Sequence, residues 1–239
     1  MTVRHPEGSL RGFLELRSDD GHVVAIGDLE QAVRGGLVYV RLVFHFKDGS
    51  LDDESTVFSQ RGVFRLIGDH HIQQGPSFPQ SQDMTIDVRS GRITTRSKDK
   101  DGKEQVKSDA FKMPPDLVNG MIRSIAENIA PGTPETRVSM IVATPKPRRV
   151  TLVMSARGDD PFSIAGSRRT ALHYSIKIDL GGVAGVVAPI IGKQPPDIEI
   201  WVTGGDAPLL VRERGPLSEG GPVWTMQQTS PVWPDAAKQ

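Results

Sequence analysis

The stretch Val38-Tyr-Val-Arg-Leu-Val-Phe-His-Phe46 places an apolar side chain at every even-numbered position. Successive side chains of a β-strand point to opposite faces of a sheet, so a period of two predicts a strand with one buried face. Leu42 and Phe44 would lie on the buried face and His45 on the polar one. Because five apolar positions keep the same phase, the stretch predicts a half-buried strand.

The same alternation recurs along the chain. It runs from Met84 to Val88 and from Leu172 to Leu180, and turn sequences such as Gly35-Gly36 and Asp48-Gly49 separate the candidate strands. Many short strands joined by hairpin turns are typical of antiparallel sheets. The sequence therefore predicts a mainly β fold, built as a curled antiparallel sheet or half-barrel.

One segment, at about residues 114–130, departs from this alternation. Apolar residues recur every four positions from Leu117 to Ile129, after two prolines and before a proline and a glycine. This spacing predicts one inserted amphipathic helix whose apolar face packs on the sheet. Because one helix cannot cover two independent sheets, we expect a single β-rich domain over residues 1–239, with a subdivision near 131–134 as the alternative.

Composition excludes several classes of function. Lys plus Arg equals Asp plus Glu at 29 residues each, and this zero net charge argues against nucleic acid as a partner. The 239 residues include no cysteine. Disulfides, thiolate zinc sites, iron–sulfur clusters and cysteine nucleophiles are therefore excluded.

The sequence predicts neither a membrane span nor a signal peptide. No apolar run approaches the roughly 20 residues that a transmembrane helix needs, and residues 1–10 lack the apolar core of a secretory signal. The expected location is the periplasm or cell envelope if a signal has been removed, and otherwise the cytoplasm. The oligomeric state stays open.

No motif identifies an enzyme. The chain lacks a nucleophile elbow, a Walker loop and a dinucleotide-binding fingerprint, so it implies no cofactor. Paired carboxylates of a glycoside hydrolase meet only in the fold and leave no sequence motif. A hydrolase with no recognisable motif therefore stays an alternative, although the sequence favours a protein that is not an enzyme.

Two clusters with potential metal ligands are explained better without a metal. His70 and His71 are adjacent on a predicted strand, where they would point to opposite faces and not reach one ion. The carboxylates of residues 48–54 bracket a predicted hairpin, and their spacing does not match an EF-hand loop. We therefore predict no metal site.

The segment Leu180-Gly-Gly-Val-Ala-Gly-Val-Val-Ala-Pro-Ile-Ile-Gly192 has no charged or hydrogen-bonding side chain, although it connects two predicted strands. It is too short to span a bilayer and too apolar for an ordinary surface loop. Three interpretations stay open: a buried plug at one end of the sheet, a flap over a ligand, or a docking surface for a hydrophobic partner.

A late hairpin carries a resemblance to a known fold. Ile200-Trp-Val-Thr-Gly-Gly-Asp-Ala-Pro208, followed by Leu209-Leu-Val-Arg-Glu213, together with the single inserted helix, resembles uncharacterised bacterial envelope families with the LolA/LolB-like curled half-barrel. The resemblance implies a curved sheet whose concave apolar face holds acyl chains, and a periplasmic location. The chain departs from that pattern because it shows no signal peptide and no lipobox cysteine.

The leading hypothesis is a non-enzymatic binding module for a lipid or another hydrophobic small molecule. The alternative is a structural or interaction protein that docks through residues 180–192. For the leading hypothesis, apolar side chains on the concave face and in the flap would line the ligand site. These are Leu42, Phe44, Ile86, Ile176, Ile178, Val183, Val186, Val187, Ile190 and Ile191.

Overall fold

The computed structural model describes residues 1–98, 103–142, 147–164, 167–180 and 195–229. Within them lie fourteen strands and one short helix. The elements are β1 (Leu10–Arg17), β2 (Val23–Arg34), β3 (Leu37–Phe46), β4 (Leu51–Ser59), β5 (Arg65–Gln74), β6 (Gln82–Asp87), β7 (Arg92–Lys98), β8 (Glu104–Ala110), α1 (Ile122–Glu127), β9 (Glu135–Val142), β10 (Arg148–Ile164), β11 (Ser167–Asp179), β12 (Ile198–Thr203), β13 (Leu210–Pro216) and β14 (Val223–Gln228).

All fourteen described strands belong to one antiparallel sheet, which is not closed. Its order is β8-β7-β6-β5-β4-β3-β2-β1-β14-β13-β12-β11-β10-β9. Every neighbouring pair is consecutive in the chain except β1 and β14, which pair through contacts such as Leu16 with Met226. The predicted fold class, a mainly β protein with a curled antiparallel sheet, is confirmed.

Strand β3 shows the alternation that the sequence predicts. Val38 and Phe44 are buried, whereas Tyr39 and His45 are exposed. Phe44 pairs with Gly27 of β2, and a Cβ atom at Gly27 would overlap the Phe44 ring. The missing side chain at Gly27 thus leaves the space that the Phe44 ring fills, so a glycine inside a strand has a packing role here.

The buried apolar side chains form a core on the inner face of the sheet. Side chains from both halves of the sheet and from α1 share this core, among them Leu14, Phe58, Ile125 and Leu152. Every described strand except β8 contributes to the same cluster, so the sheet curls around α1.

The helix is confirmed, but the prediction overestimated its length. It spans six residues, Ile122–Glu127, instead of about 114–130. Gly120 adopts a φ of +65°, and a Cβ atom there would overlap Thr56 Oγ1 and lie 2.9 Å from Asp69 Oδ1. A left-handed residue ends a helical path, so the apolar residues before Gly120 pack in an extended segment instead.

That extended segment covers one edge of the sheet. Val118 N donates to Ser139 O of β9 at 2.9 Å, and Ser139 N donates to Asp116 O at 3.1 Å. Asn119 accepts a hydrogen bond from Ile141 N at 2.9 Å and donates to Ile141 O at 2.8 Å. The outward-facing main-chain groups of Ser139 and Ile141 in β9 are therefore satisfied, which protects this part of the edge.

Length and apolar character together rule out a membrane-crossing role for any helix in the described part of the chain.

Candidate functional site

The N-terminal segment is fixed against the end of α1 by one amide side chain. Asn128 Oδ1 accepts hydrogen bonds from the backbone N–H groups of Arg4 and His5, both at 2.8 Å. The Asn128 amide in turn donates to Ser124 O at 2.9 Å, and Arg4 Nη1 donates to Ile129 O at 2.9 Å. These contacts are at least partly buried, and they hold the segment as a wall beside the helix.

A first cavity of about 490 Å³ opens between this wall, the residues after α1 and the ends of β11 and β12. Its lining is mainly apolar and includes Ile129, Pro134, Leu172, Tyr174 and Val202. Cavities of a few hundred cubic ångströms with mostly apolar walls are typical of small-molecule sites.

A second cavity of about 450 Å³ lies on the other side of the N-terminal segment. Apolar side chains from β1, β2, β3 and the start of β13 line it, together with the polar groups Glu7, Gln31, Arg123 and Glu127. The apolar members are Leu10, Leu14, Leu29, Val40, Leu209 and Leu210. Arg4, His5, Glu127 and Pro208 line both cavities, so the two adjoin.

Two carboxylates mark the junction. Glu127 Oε1 accepts a hydrogen bond from Leu210 N at 2.8 Å, and Glu7 Oε2 accepts one from the Gln31 amide at 2.9 Å. Burial, reinforced by the nearby Glu7, raises the pKa of Glu127 to about 7. Glu7 Oε1 is buried and has no hydrogen-bond partner among the described residues. The junction therefore offers an unused acceptor beside a carboxyl group that changes charge near neutral pH.

Arg123 of α1 stands among carboxylates deeper in the interior. Burial raises the pKa of Glu213 to about 7, and Arg123 opposes this shift. Burial also raises the pKa of Glu54, and the positive charge of Arg123 again acts to lower it. No hydrogen bond or ion pair joins Arg123 to another residue in the described ranges. A polar region therefore adjoins the apolar core, and in it the Arg123 guanidinium acts on the carboxyl groups of Glu213 and Glu54.

A partly buried histidine, His71, and a buried aspartate, Asp69, extend this polar interior along β5. Burial lowers the pKa of His71, but Glu54 and Asp52 outweigh it and raise the value to about 9. His71 Nε2 lies 3.2 Å from Asp52 Oδ1. Burial raises the pKa of Asp69 to about 8, although Thr56 Oγ1 donates a hydrogen bond to Asp69 Oδ1 at 2.7 Å.

These shifts predict that stability falls as the pH rises above the acidic range. Glu127, Glu213 and Asp69 keep protons in the folded protein that they lose near pH 4 to 4.5 when unfolded, and His71 keeps its proton up to about pH 9. The folded state binds more protons than the unfolded state across this window, so the free energy of unfolding decreases with rising pH.

Equilibrium urea denaturation at about pH 5.5 and about pH 8 measures this decrease. We expect a lower free energy of unfolding at the higher pH, and a smaller difference for Glu213→Gln, which stays neutral. A profile that is flat or rises between these pH values would contradict the assignment of the buried acids.

The sequence-predicted ligand residues lie in different places. Phe44, Ile86 and Ile176 are fully buried in the core, and Leu42 and Ile178 pack against it partly buried. These five side chains share the inner face of the sheet, but they do not line either cavity. Residues 183, 186, 187, 190 and 191, and the 180–192 segment apart from Leu180, lie outside the described residues.

The histidine pair and the acidic hairpin show how strand geometry separates neighbours. His70 Nε2 lies 3.0 Å from Asp83 on the outer face, whereas His71 points inward to Asp52. Asp53 faces outward and pairs with Arg41 at 2.7 Å. In the described ranges, no three His, Asp or Glu side chains are grouped so as to hold a metal ion.

Sequence reasoning missed the inward orientation of Glu54 beside the core and the polar residues Glu7 and Glu127 at the cavity junction. Glu54 has the same strand phase as the buried Phe58, and that phase was a usable signal. Nothing in the local pattern indicates that Glu7 and Glu127, 120 positions apart, meet at one junction.

On strand β11, the partly buried His173 is held by aromatic and acidic neighbours. Its ring stacks on Trp201 at 4.4 Å between centroids, and its nitrogens lie 3.1 Å from Asp160 and 2.7 Å from Glu199. Arg212 covers the other face of Trp201 at 3.8 Å. This network ties β10 to β13, and His173 also lines the first cavity.

Comparisons with known proteins establish the fold only. The chain matches no family model, and it matches no curated protein. It is similar to a solved structure from Brucella abortus, described as a β-barrel-like protein of the domain of unknown function DUF1849. That match has a TM-score of 0.50 and 10% sequence identity, and it covers 97% of this chain and 100% of the other. The curled, barrel-like fold is supported, whereas membership of the LolA/LolB family is not shown.

Proposed function

We propose that this protein is a non-enzymatic binding module for a hydrophobic or amphipathic small molecule, such as a lipid. The observation that carries the proposal is the pair of adjoining cavities, of about 490 and 450 Å³, at one end of the curled sheet. Each volume falls within the usual range of ligand pockets, and each lining is mainly apolar.

The polar groups at the junction suit an amphipathic ligand. An apolar portion would occupy the first cavity, beside Leu172 and Val202, where burial of apolar surface supplies the binding free energy. A hydrogen-bonding group of the ligand would reach the unused acceptor of Glu7 and the carboxyl group of Glu127. A few fixed polar groups in an apolar pocket set ligand orientation.

A location in the bacterial envelope belongs to the same proposal. It rests on the resemblance of the late hairpin and inserted helix to the lipoprotein-carrier half-barrel. The concave-face residues predicted from the sequence, Leu42, Phe44, Ile86, Ile176 and Ile178, stay a prediction of ligand contact.

Filling the cavities should abolish binding. Gly12 lies on the inner face of β1 and Gly204 beside the first cavity, and a Cβ atom at either position meets no other atom within 4 Å. Gly12→Phe and Gly204→Phe would therefore place a ring into the second and first cavity, respectively, without a clash at the Cβ position. We expect at least one of the two variants to bind dansylundecanoate about tenfold or more weakly than the wild type, measured by fluorescence titration.

The matched control is Thr170→Phe, which adds the same ring at an exposed position of β11. It should keep the wild-type affinity. Native mass spectrometry of the purified wild type should also show a co-purifying apolar ligand. Equal binding by all variants would show that the cavities are not the binding site. A wild type that neither binds the probe nor carries a co-purifying ligand would refute the proposed function.

A further inference from the structure

The second edge of the sheet, strand β8, differs from the covered edge at β9. All seven residues of β8 are exposed, and in the described ranges the strand pairs only with β7. Val106 is 57% exposed, the highest value among the large apolar side chains reported as exposed. Such an edge offers unpaired N–H and C=O groups to another strand.

The phase of the β7–β8 ladder shows which groups are available. Phe111, just after β8, donates its backbone N–H to the carbonyl oxygen of Gly91, just before β7, at 2.8 Å. Hydrogen-bonding direction alternates along an antiparallel strand, so the odd-numbered residues of β8 bond to β7. The main-chain groups of Val106, Ser108 and Ala110 therefore point away from the sheet.

Charge selects one register for a second copy of this edge. If two β8 strands lie antiparallel with Ser108 opposite Ser108, Lys107 lies opposite Asp109 of the second copy. Glu104 then lies opposite Lys112, which is also exposed. Shifting the centre by one residue places Lys107 opposite Lys107 or Asp109 opposite Asp109, and like charges in direct opposition are destabilising.

We propose that two copies of this chain associate through β8, antiparallel about Ser108, and continue the sheet across the dimer. Each opposed pair of outward-facing residues exchanges two main-chain hydrogen bonds, and Val106 lies opposite Ala110 of the second copy. Lys107 and Asp109 occupy the closer, non-hydrogen-bonded pairs, where their charges contribute most to register. The pairing is an edge contact without a large buried core, so it is weak and concentration-dependent.

Single cysteines test the register directly, because the chain has none of its own. In the proposed pairing the two Ser108 Cα atoms are about 5.5 Å apart, within the range of a disulfide. Ser108→Cys should give a disulfide-linked dimer under mild oxidation. Val106→Cys is the matched control, since its two copies are four strand residues apart, about 14 Å, and should not cross-link.

Charge reversal tests the same contact in solution. By analytical ultracentrifugation, Lys107→Asp should weaken self-association about tenfold or more, because both symmetry-related pairs become repulsive. Lys107→Asp combined with Asp109→Lys should restore it. Lys177→Asp makes the same charge change at an exposed position of β11 and should leave association unchanged.

A wild type that stays monomeric up to about 1 mM would overturn the proposal. Equal cross-linking of both cysteine variants, or no recovery in the double reversal, would overturn it as well.

Discussion

Gly120→Ala should lower the free energy of unfolding by about 3–5 kcal/mol, a large effect for one methyl group. The added Cβ would overlap Thr56 Oγ1 and lie 2.9 Å from Asp69 Oδ1. Thr56 and Asp69 are 2% and 3% exposed and hydrogen-bonded to each other, so neither can move aside. The φ of +65° adds the cost of a left-handed residue with a side chain.

Equilibrium urea denaturation measures the loss, and Gly132→Ala is the matched control. Gly132 also has a positive φ, +77°, but no atom lies within 4 Å of its added Cβ. It should cost only about 1 kcal/mol, the backbone contribution alone. In a Thr56→Ala background, Gly120→Ala should cost less than in the wild type, because the overlapping hydroxyl is absent. Equal losses for Gly120→Ala and Gly132→Ala would show that the close approach has no energetic consequence.

Phe44→Ala should lower the free energy of unfolding by about 3–5 kcal/mol, the usual cost of removing a fully buried phenyl ring. Phe44 is 1% exposed. Its ring packs directly against the backbone of Gly27, in the space that a side chain there would occupy. Little solvent reaches the cavity left behind, so the lost contacts are not replaced.

Tyr39→Ala, on the opposite face of the same strand and 41% exposed, is the control and should cost about 1 kcal/mol or less. Dansylundecanoate titration of Phe44→Ala also tests the sequence-based prediction that Phe44 contacts ligand. Loss of binding by a variant that remains folded would support that role. Unchanged affinity, together with the loss of stability, would leave Phe44 as a core residue only.

The fold was predictable because strand phase is a local property. In β3, burial of alternate residues needs no knowledge of the partner strands, and the prediction held at Val38, Val40, Phe44 and Phe46, although Val43 is also buried. The helix was predictable in place but not in length. The pattern from Leu117 to Ile129 fits a helix throughout, whereas the contact that ends it, Gly120 against Thr56, joins positions 64 residues apart.

The cavities were not predictable for the same reason. Their walls combine strand residues with the N-terminal segment, the residues after α1 and the loop after β12, and these last three carry no periodic pattern. Glu54 and Glu213 occupy inward-facing positions that the rule of apolar alternation assigns to the core. Polar side chains at these positions depart from that rule, and such departures are expected at functional or strained sites.

The pairing of β1 with β14 places the first and last described strands at the centre of the sheet rather than at its rim. Truncations that trim a terminal strand usually remove an edge. Here, deleting β1 would divide the sheet into two hairpin arrays and uncover the sides of β2 and β14, where Leu14 and Leu16 now seal the core. Shortened versions of this protein are therefore better made by removing the edge strand β8, whose residues are all exposed, than by deleting β1.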